Sequence, residues 1–322
     1  MYQERIFAAE ADPEDLPGLR ARVRAETLGE YPRFCRSLAP DYGRVRRDIA
    51  LGYAGLAVVL IAVAAAGSLG WIAGLAAAVF GAVGIGYAVA YLQLFIHEAA
   101  HYNIAPGRAA NDRMANWLVC WQVGTRIEHY RRTHSEHHRH LGDADDTEIS
   151  YTHQLTARFL LEMVTGVHAL RVFTGRSGDR KPAKSSGGSL RPLAIGALAH
   201  FAILVVLVAL GAWAAALAWL GGMGVFFPLF ATLRQLLEHR PAPGQTGESA
   251  VTRLFGSDLF SRTFGGAGFN RHLLHHIEPQ VSYTRYDELE AYLMKTSVRD
   301  ALEARRSSYR LTFAALLREG HS

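Results

Sequence analysis

The chain has 322 residues, half of them hydrophobic and a fifth charged, with a net charge of +5. Apolar and polar residues fall into separate blocks, which excludes a uniform soluble globule. The arginines flank the apolar runs, so anionic lipid headgroups explain the basic balance better than nucleic acid does. The two cysteines, Cys35 and Cys120, are too few and too far apart for a disulfide framework or a thiolate metal site, and read as reduced structural thiols.

Residues 1–48 are polar and lack the apolar core of a signal peptide, so the first membrane helix is expected to act as the insertion signal, leaving the N-terminus inside. A helix is predicted over Leu16 to Leu38, with Leu19, Val23, Leu28, Tyr31 and Phe34 as apolar positions and an interruption at Pro32. Ile49 to Gly67 is apolar and, at ~1.5 Å per residue, about a membrane thickness long. After a break at Gly67-Ser68-Leu69-Gly70, a second apolar run, Trp71 to Phe95, is expected to continue as helix through His97 to His101. Residues 49–101 thus read as a first transmembrane hairpin.

Residues 102–192 are polar, with amphipathic insertions. Over Met114 to Val123, Trp117 and Trp121 are predicted to share one face of an interfacial helix. Leu155 to Phe173, carrying Arg158 and Arg171, is expected to lie in the headgroup plane. Ser177 to Leu190 has the composition of a linker. A second hairpin is predicted over 193–239: Leu193 to Leu220, a break at Gly221-Gly222, then Met223 to Leu237 with a kink at Pro228. Residues 240–322 are polar, with helices expected near Asp287–Met294 and Val298–Leu317. Neither hairpin turn contains Lys or Arg, and every basic residue except Arg234 lies in the N-terminal, middle or C-terminal segment. The positive-inside rule then places those three segments, with both termini, in the cytoplasm.

The chemistry is concentrated in the fifteen histidines. His97 and His101 are four apart, His134, His137 and His138 form one HxxHH cluster, His272, His275 and His276 form another, and His239 ends the fourth apolar run. Side chains at i, i+3 and i+4 project from one side of a helix, so each cluster can aim several imidazoles at one point. Eight or nine such ligands exceed one four-coordinate zinc and suit two metals with open positions. Imidazole suits iron, which is redox-active, and the absence of nearby thiolates argues against an iron–sulfur cluster. His129, His140, His153 and His168 read as surface or supporting residues, and His321 as tail. His200, inside the third apolar run, is either functional or hydrogen-bonded to another helix. Glu98, Asp143, Asp145, Asp146 and Glu238 are candidates to orient imidazoles by accepting the second ring N–H; the aspartates read equally as a solvated loop opposite Arg131, Arg132 and Arg139. Two rival readings use the same residues. His97-Glu98-Ala99-Ala100-His101 matches the HExxH signature of zinc proteases, with Glu98 as base, but this leaves the other clusters unused. A histidine-rich metal carrier would place its ligands along a pore at mid-membrane.

The boxes HEAAH at 97–101, HSEHH at 134–138 and HLLHH at 272–276, in that order between two apolar hairpins, resemble the three histidine boxes of the membrane fatty acid desaturase superfamily. That group also contains acyl hydroxylases, sphingolipid desaturases and carotenoid ketolases. Asn270-Arg271-His272 and Pro279 fit the same pattern. Gln235-x-x-x-His239 resembles the Asn-x-x-x-His element of stearoyl-CoA desaturases, with Gln in place of Asn. The resemblance runs from about residue 50 to 295. It implies an all-α integral membrane protein with four transmembrane helices in two hairpins under a cytosolic helical cap, a di-iron centre and an acyl tunnel. The implied ligands of the two iron ions are His97, His101, His134, His137, His138, His239, His272, His275 and His276, with Gln235, Glu98, Asp146, Glu238 and Asn270 beside them. The implied reaction is O2-dependent oxidation of a lipid or acyl chain. With no HPGG haem-binding segment in the sequence, its electrons are expected from a separate ferredoxin, cytochrome or reductase.

Overall fold

Asp15 starts the first helix: its carboxylate accepts from the Gly18 N–H at 2.6 Å, and Pro17 occupies the first turn. The computed structural model describes residues 15–142, 145–148, 151, 153–168, 171, 190–239 and 252–319. Among them the chain is helical, with one isolated bridge between Leu254 and Arg306. Helix α1, Leu16–Glu26, buries Leu16, Leu19 and Val23. The single helix predicted over 16–38 is two, because Leu28 (φ +46°) and Gly29 (φ +87°) turn the backbone left-handed before α2, Glu30–Ser37. Pro32 does not interrupt anything. It lies in the first turn of α2, where its missing N–H is not needed.

Helix α3, Tyr42–Gly67, is followed by α4, Trp71–Ala100, which carries His97 and is capped by His101. Then come α5, Arg108–Leu118, a 3-10 turn, Cys120–Val123, α6, Ile127–His140, and α7, Ala157–Val164. Trp117 and Trp121 do not share a helical face as predicted. Helix α5 ends at Leu118, so Trp117 is exposed while Trp121 lies in the separate 3-10 turn, with its ring near His200. The helix predicted from Leu155 starts at Ala157 and breaks at Gly166, whose φ is +74°. Its expected end at Phe173, Asp143, His321 and the 177–189 linker lie outside the described residues.

Helix α8, Arg191–Ala209, precedes α9, Trp213–Gly221, a π turn, Gly222–Phe226, and α10, Phe227–His239. The turn of this second pair falls at Leu210–Ala212, not at the predicted Gly221-Gly222. Those glycines sit inside a continuous Trp213–His239 helix. Gly222 lies against Ile85 of α4, where an added Cβ would meet the Ile85 side chain at 2.6 Å, so it serves close packing. Pro228 cannot donate to the Gly224 carbonyl, and the ladder slips to π geometry just before it.

Among the described residues, four helices are long and apolar enough to cross a membrane: Tyr42–Gly67, Trp71–Ala100, Arg191–Ala209 and Trp213–His239. Helices α3 and α4 pack antiparallel, with Gly52 beside Leu92 and Gly81 beside Val63. Helix α9 and the π turn pack on α4, with Gly81 near Ala218 and Gly86 against Phe226. Only 6% of the apolar window of α8 is buried, leaving Leu198, Phe201, Val206 and Val208 exposed. An apolar face of that extent is stable against lipid rather than water.

The C-terminal part contains α11, Leu259–Phe264, α12, His272–Ile277, α13, Tyr286–Leu293, α14, Arg299–Ala304, and α15, Tyr309–Glu319. The single helix predicted over 298–317 is split at Arg305–Ser308, because the backbone there pairs with Leu254: Leu254 N–H donates to the Arg305 carbonyl and Ser307 N–H to the Leu254 carbonyl. Helix α12 is buried in a core shared with the end of α4 (Leu94, Phe95, Ala99), with α1 and with α13 (Leu289, Leu293). That core fixes the third histidine box against the first.

Candidate metal centre

The end of α4 is held in place by side chains from two later helices. Arg131 of α6 donates to the Ala100 carbonyl at 2.9 Å and the Ala99 carbonyl at 3.2 Å, is paired with Asp112, and lies 3.9 Å from the Tyr102 ring centre. Asn111 of α5 donates to Ala99 at 2.9 Å. A cation on the free carbonyls of a helix C-terminus is favourable, and here it also sets α6 in register with His97 and His101. Helix α6 then presents His134, His137 and His138, α10 ends on His239, and α12 presents His272, His275 and His276.

Eight of the nine predicted histidines form two groups whose candidate ligand nitrogens lie within 4.8 Å of one another. The larger group is His97, His101, His134, His138 and His275; the smaller is His137, His239 and His276. His272 adjoins the smaller group, its Nε2 2.8 Å from that of His239 and 3.1 Å from that of His276. The groups touch, with the His138 and His276 ring centres 4.6 Å apart. Phe269 stacks on His272 and packs against His97, and Arg234 lies over the Phe269 ring.

Carboxylates settle which ring nitrogens face inward. His134 Nδ1–H donates to Glu148 at 3.1 Å, and His137 Nδ1–H to Asp146 at 2.7 Å. In the neutral rings both Nε2 atoms then carry lone pairs. His134 Nε2 faces His101 Nε2 at 3.1 Å and His138 Nε2 at 3.0 Å, and His137 Nε2 is buried without a hydrogen-bond partner. Lone pairs converging at this spacing in a buried site are the donor set a cation requires. Burial, followed by the neighbouring imidazoles, holds His138, His272, His275 and His276 well below the usual histidine range. Neutral imidazole is the form that binds metal. His137 is shifted the other way: burial lowers it, but Glu148 and Asp146 together raise it. Burial would raise Glu148, yet the imidazoles of His137 and His134 bring it down to about 2.

The supporting residues are distributed differently from the sequence reading. Asp146 is beside His137, and its other oxygen accepts from Tyr151 at 2.6 Å. Gln235 donates to the Glu148 backbone carbonyl at 2.9 Å and so reaches the site through Glu148. Glu98 does not orient an imidazole. One residue along the helix from His97, it points about 100° away and accepts from Ser282 Oγ at 3.3 Å and Tyr283 N–H at 3.4 Å. Glu238 likewise turns from His239, accepting from Tyr309 at 2.8 Å and pairing with Arg234 at 3.9 Å. Asn270 braces a loop by donating to the Gly256 carbonyl at 3.1 Å. Glu148 was missed by sequence reasoning; the acidic run after the second box was the signal, but it pointed to the aspartates. Arg131 pairs with Asp112 and Arg139 with Glu136. His200 takes the structural alternative, its Nε2 2.9 Å from the Gln122 carbonyl.

The model of the fatty acid desaturase family matches residues 69–308, a stretch that contains every histidine of both groups. The chain belongs to the fatty acid desaturase family. No curated protein matches it. The desaturase match begins after α1, α2 and α3, so the N-terminal contacts to the third box lie outside it.

Proposed function

We propose that this desaturase-family chain is an integral-membrane di-iron oxidoreductase that removes neighbouring hydrogens from a lipid or acyl chain, using O2 and electrons from an external ferredoxin, cytochrome or reductase. The observation that carries the reading is the convergence of eight histidines from α4, α6, α10 and α12 into two adjoining all-nitrogen groups, with His272 beside the smaller. One iron would be held among His97, His101, His134, His138 and His275, the other among His137, His239, His272 and His276. Iron so held supplies activation of dioxygen for C–H oxidation. Asp146 and Glu148 fix the tautomers of His137 and His134 and make those imidazoles more basic. Phe269 covers His97 and His272, which are both buried. The family pattern also supports the arrangement of the four spans as two hairpins, with the histidine-bearing segments and both termini cytoplasmic. The observed turns, 68–70 and 210–212, contain no Lys or Arg, which is the asymmetry the positive-inside rule requires. The orientation of Glu98 toward Ser282 weighs against a zinc protease, in which that carboxylate must reach a metal-bound water. The test is mass-spectrometric profiling of lipids and acyl products in cells expressing the wild type or His275→Ala. New double bonds present only with the wild type support the reading; new hydroxyl groups would assign hydroxylation, and identical profiles would overturn it.

A further inference from the structure

Helix α12 has only six residues, yet it supplies three of the nine histidines. A helix this short has little internal hydrogen bonding to hold it, and its last carbonyls lack intrahelical partners. The N-terminal segment provides one. Arg20 of α1 donates from Nη2 to the His276 carbonyl at 2.9 Å, and its Nε is buried. Leu16, Leu19 and Val23, on the same side of α1, pack into the core that holds Leu273, Leu274 and Ile277. Further along, the N-terminal segment meets the stretch after the box again: Arg285 donates to the Ala39 carbonyl at 2.7 Å, and Glu26 accepts from the Ser297 N–H at 2.9 Å. All of these N-terminal residues precede the stretch that matches the family model.

We infer that the N-terminal segment is a clasp on the third histidine box, and that Arg20 is a positioning residue that fixes the C-terminal end of α12 and with it the imidazole of His276. The inference rests on the metal-centre reading above. A guanidinium bound to a carbonyl at a helix C-terminus is a charge-assisted contact, and it complements the helix dipole there. Without it, α12 keeps its apolar packing but loses the restraint on its last turn. His276 then samples orientations that do not face His137 and His239. The group containing His276 is therefore expected to lose metal affinity before the five-histidine group does. Loss of a residue that orients a ligand typically weakens metal binding ~10–100-fold.

The experiment is cobalt(II) titration of the purified full chain in detergent, following ligand-field absorption, which reports coordination without turnover. Wild type, Arg20→Ala, Arg20→Lys and Glu26→Ala are compared. The wild type is expected to take up two ions. Arg20→Ala should weaken the second uptake about tenfold or more and alter its spectrum, with the first unchanged. Arg20→Lys, which keeps one cationic donor, should recover part of the affinity. Glu26→Ala, which removes a clasp contact distant from the box, should weaken the second uptake less than Arg20→Ala does. Two full-affinity uptakes with the wild-type spectrum in Arg20→Ala would overturn the inference and leave the metal-centre reading intact. Equal loss in Arg20→Ala and Glu26→Ala would also overturn it, by showing general loosening. Fewer than two ions in the wild type would sink the reading beneath it.

Discussion

Replacing Asp146 with Asn probes the buried support of the metal centre with almost no change in shape. The Asp146 carboxylate accepts from four donors: His137 Nδ1 at 2.7 Å, the Glu148 N–H at 2.8 Å, Tyr151 O–H at 2.6 Å and the Gly142 N–H at 3.4 Å. The side chains of Asp146 and His137 are both 0% exposed, so water cannot substitute. An asparagine keeps one carbonyl oxygen and presents an NH2 group where an acceptor was, so at least one buried donor loses its partner. An unsatisfied buried donor costs about 1–3 kcal/mol, and a histidine that loses its orienting carboxylate binds metal ~10–100-fold less tightly. At about 1.4 kcal/mol per tenfold change, the affinity loss is ~1.4–2.8 kcal/mol, the same size as the unsatisfied donor. Asp146→Asn should therefore show ~10–100-fold weaker binding at the site containing His137, with the five-histidine site affected less. The assay is chelator competition for iron(II) on anaerobic protein in detergent. Wild-type affinity at both sites would show that the His137–Asp146 contact does not support metal binding.

Glu98→Gln should retain metal and lipid oxidation, because a glutamine carbonyl can still accept from Ser282 and Tyr283; complete loss of activity with metal retained would favour the protease. Gly86→Ala should destabilise the protein by about 1–3 kcal/mol, read as earlier thermal unfolding in detergent, since the added methyl would lie 2.4 Å from Phe226 Cβ. For Glu148 the folded value, about 2, lies below the ordinary 4.5; its stabilising contribution to the metal-free protein is thus full above the ordinary value and is lost as pH falls toward 2. Melting of the metal-free protein should accordingly fall less steeply with acidification in Glu148→Gln than in wild type. Reporter fusions at positions 1 and 322 should both report the cytoplasm, and opposite sides would mean that a span has been miscounted.

The box histidines and the spans were readable in the sequence because each depends on local spacing: imidazoles at i, i+3 and i+4 share a face wherever the helix lies, and a long apolar run needs no partner to be recognised. The features that depend on what lies opposite were not readable. Gly221-Gly222 looks like a turn until Ile85 is placed against it. The true turn at Leu210–Ala212 contains one glycine, Gly211 at φ +69°, within an apolar run. Glu148 becomes a partner of His134 only because the chain folds back after α6. Glu98 looks like a supporting group because it is adjacent in sequence to His97, but adjacency along a helix is separation around it. The break at Leu28-Gly29 was masked by the stronger signal of Pro32, which is harmless in a first helical turn.

The most direct test of the di-iron reading is the metal content of purified, iron-supplied protein, measured per chain and compared with His134→Ala and His276→Ala, one from each histidine group. Two irons per wild-type chain, reduced in both variants together with lipid oxidation, is the expected result. One tightly held zinc per chain, with activity indifferent to iron and to both substitutions, would contradict it.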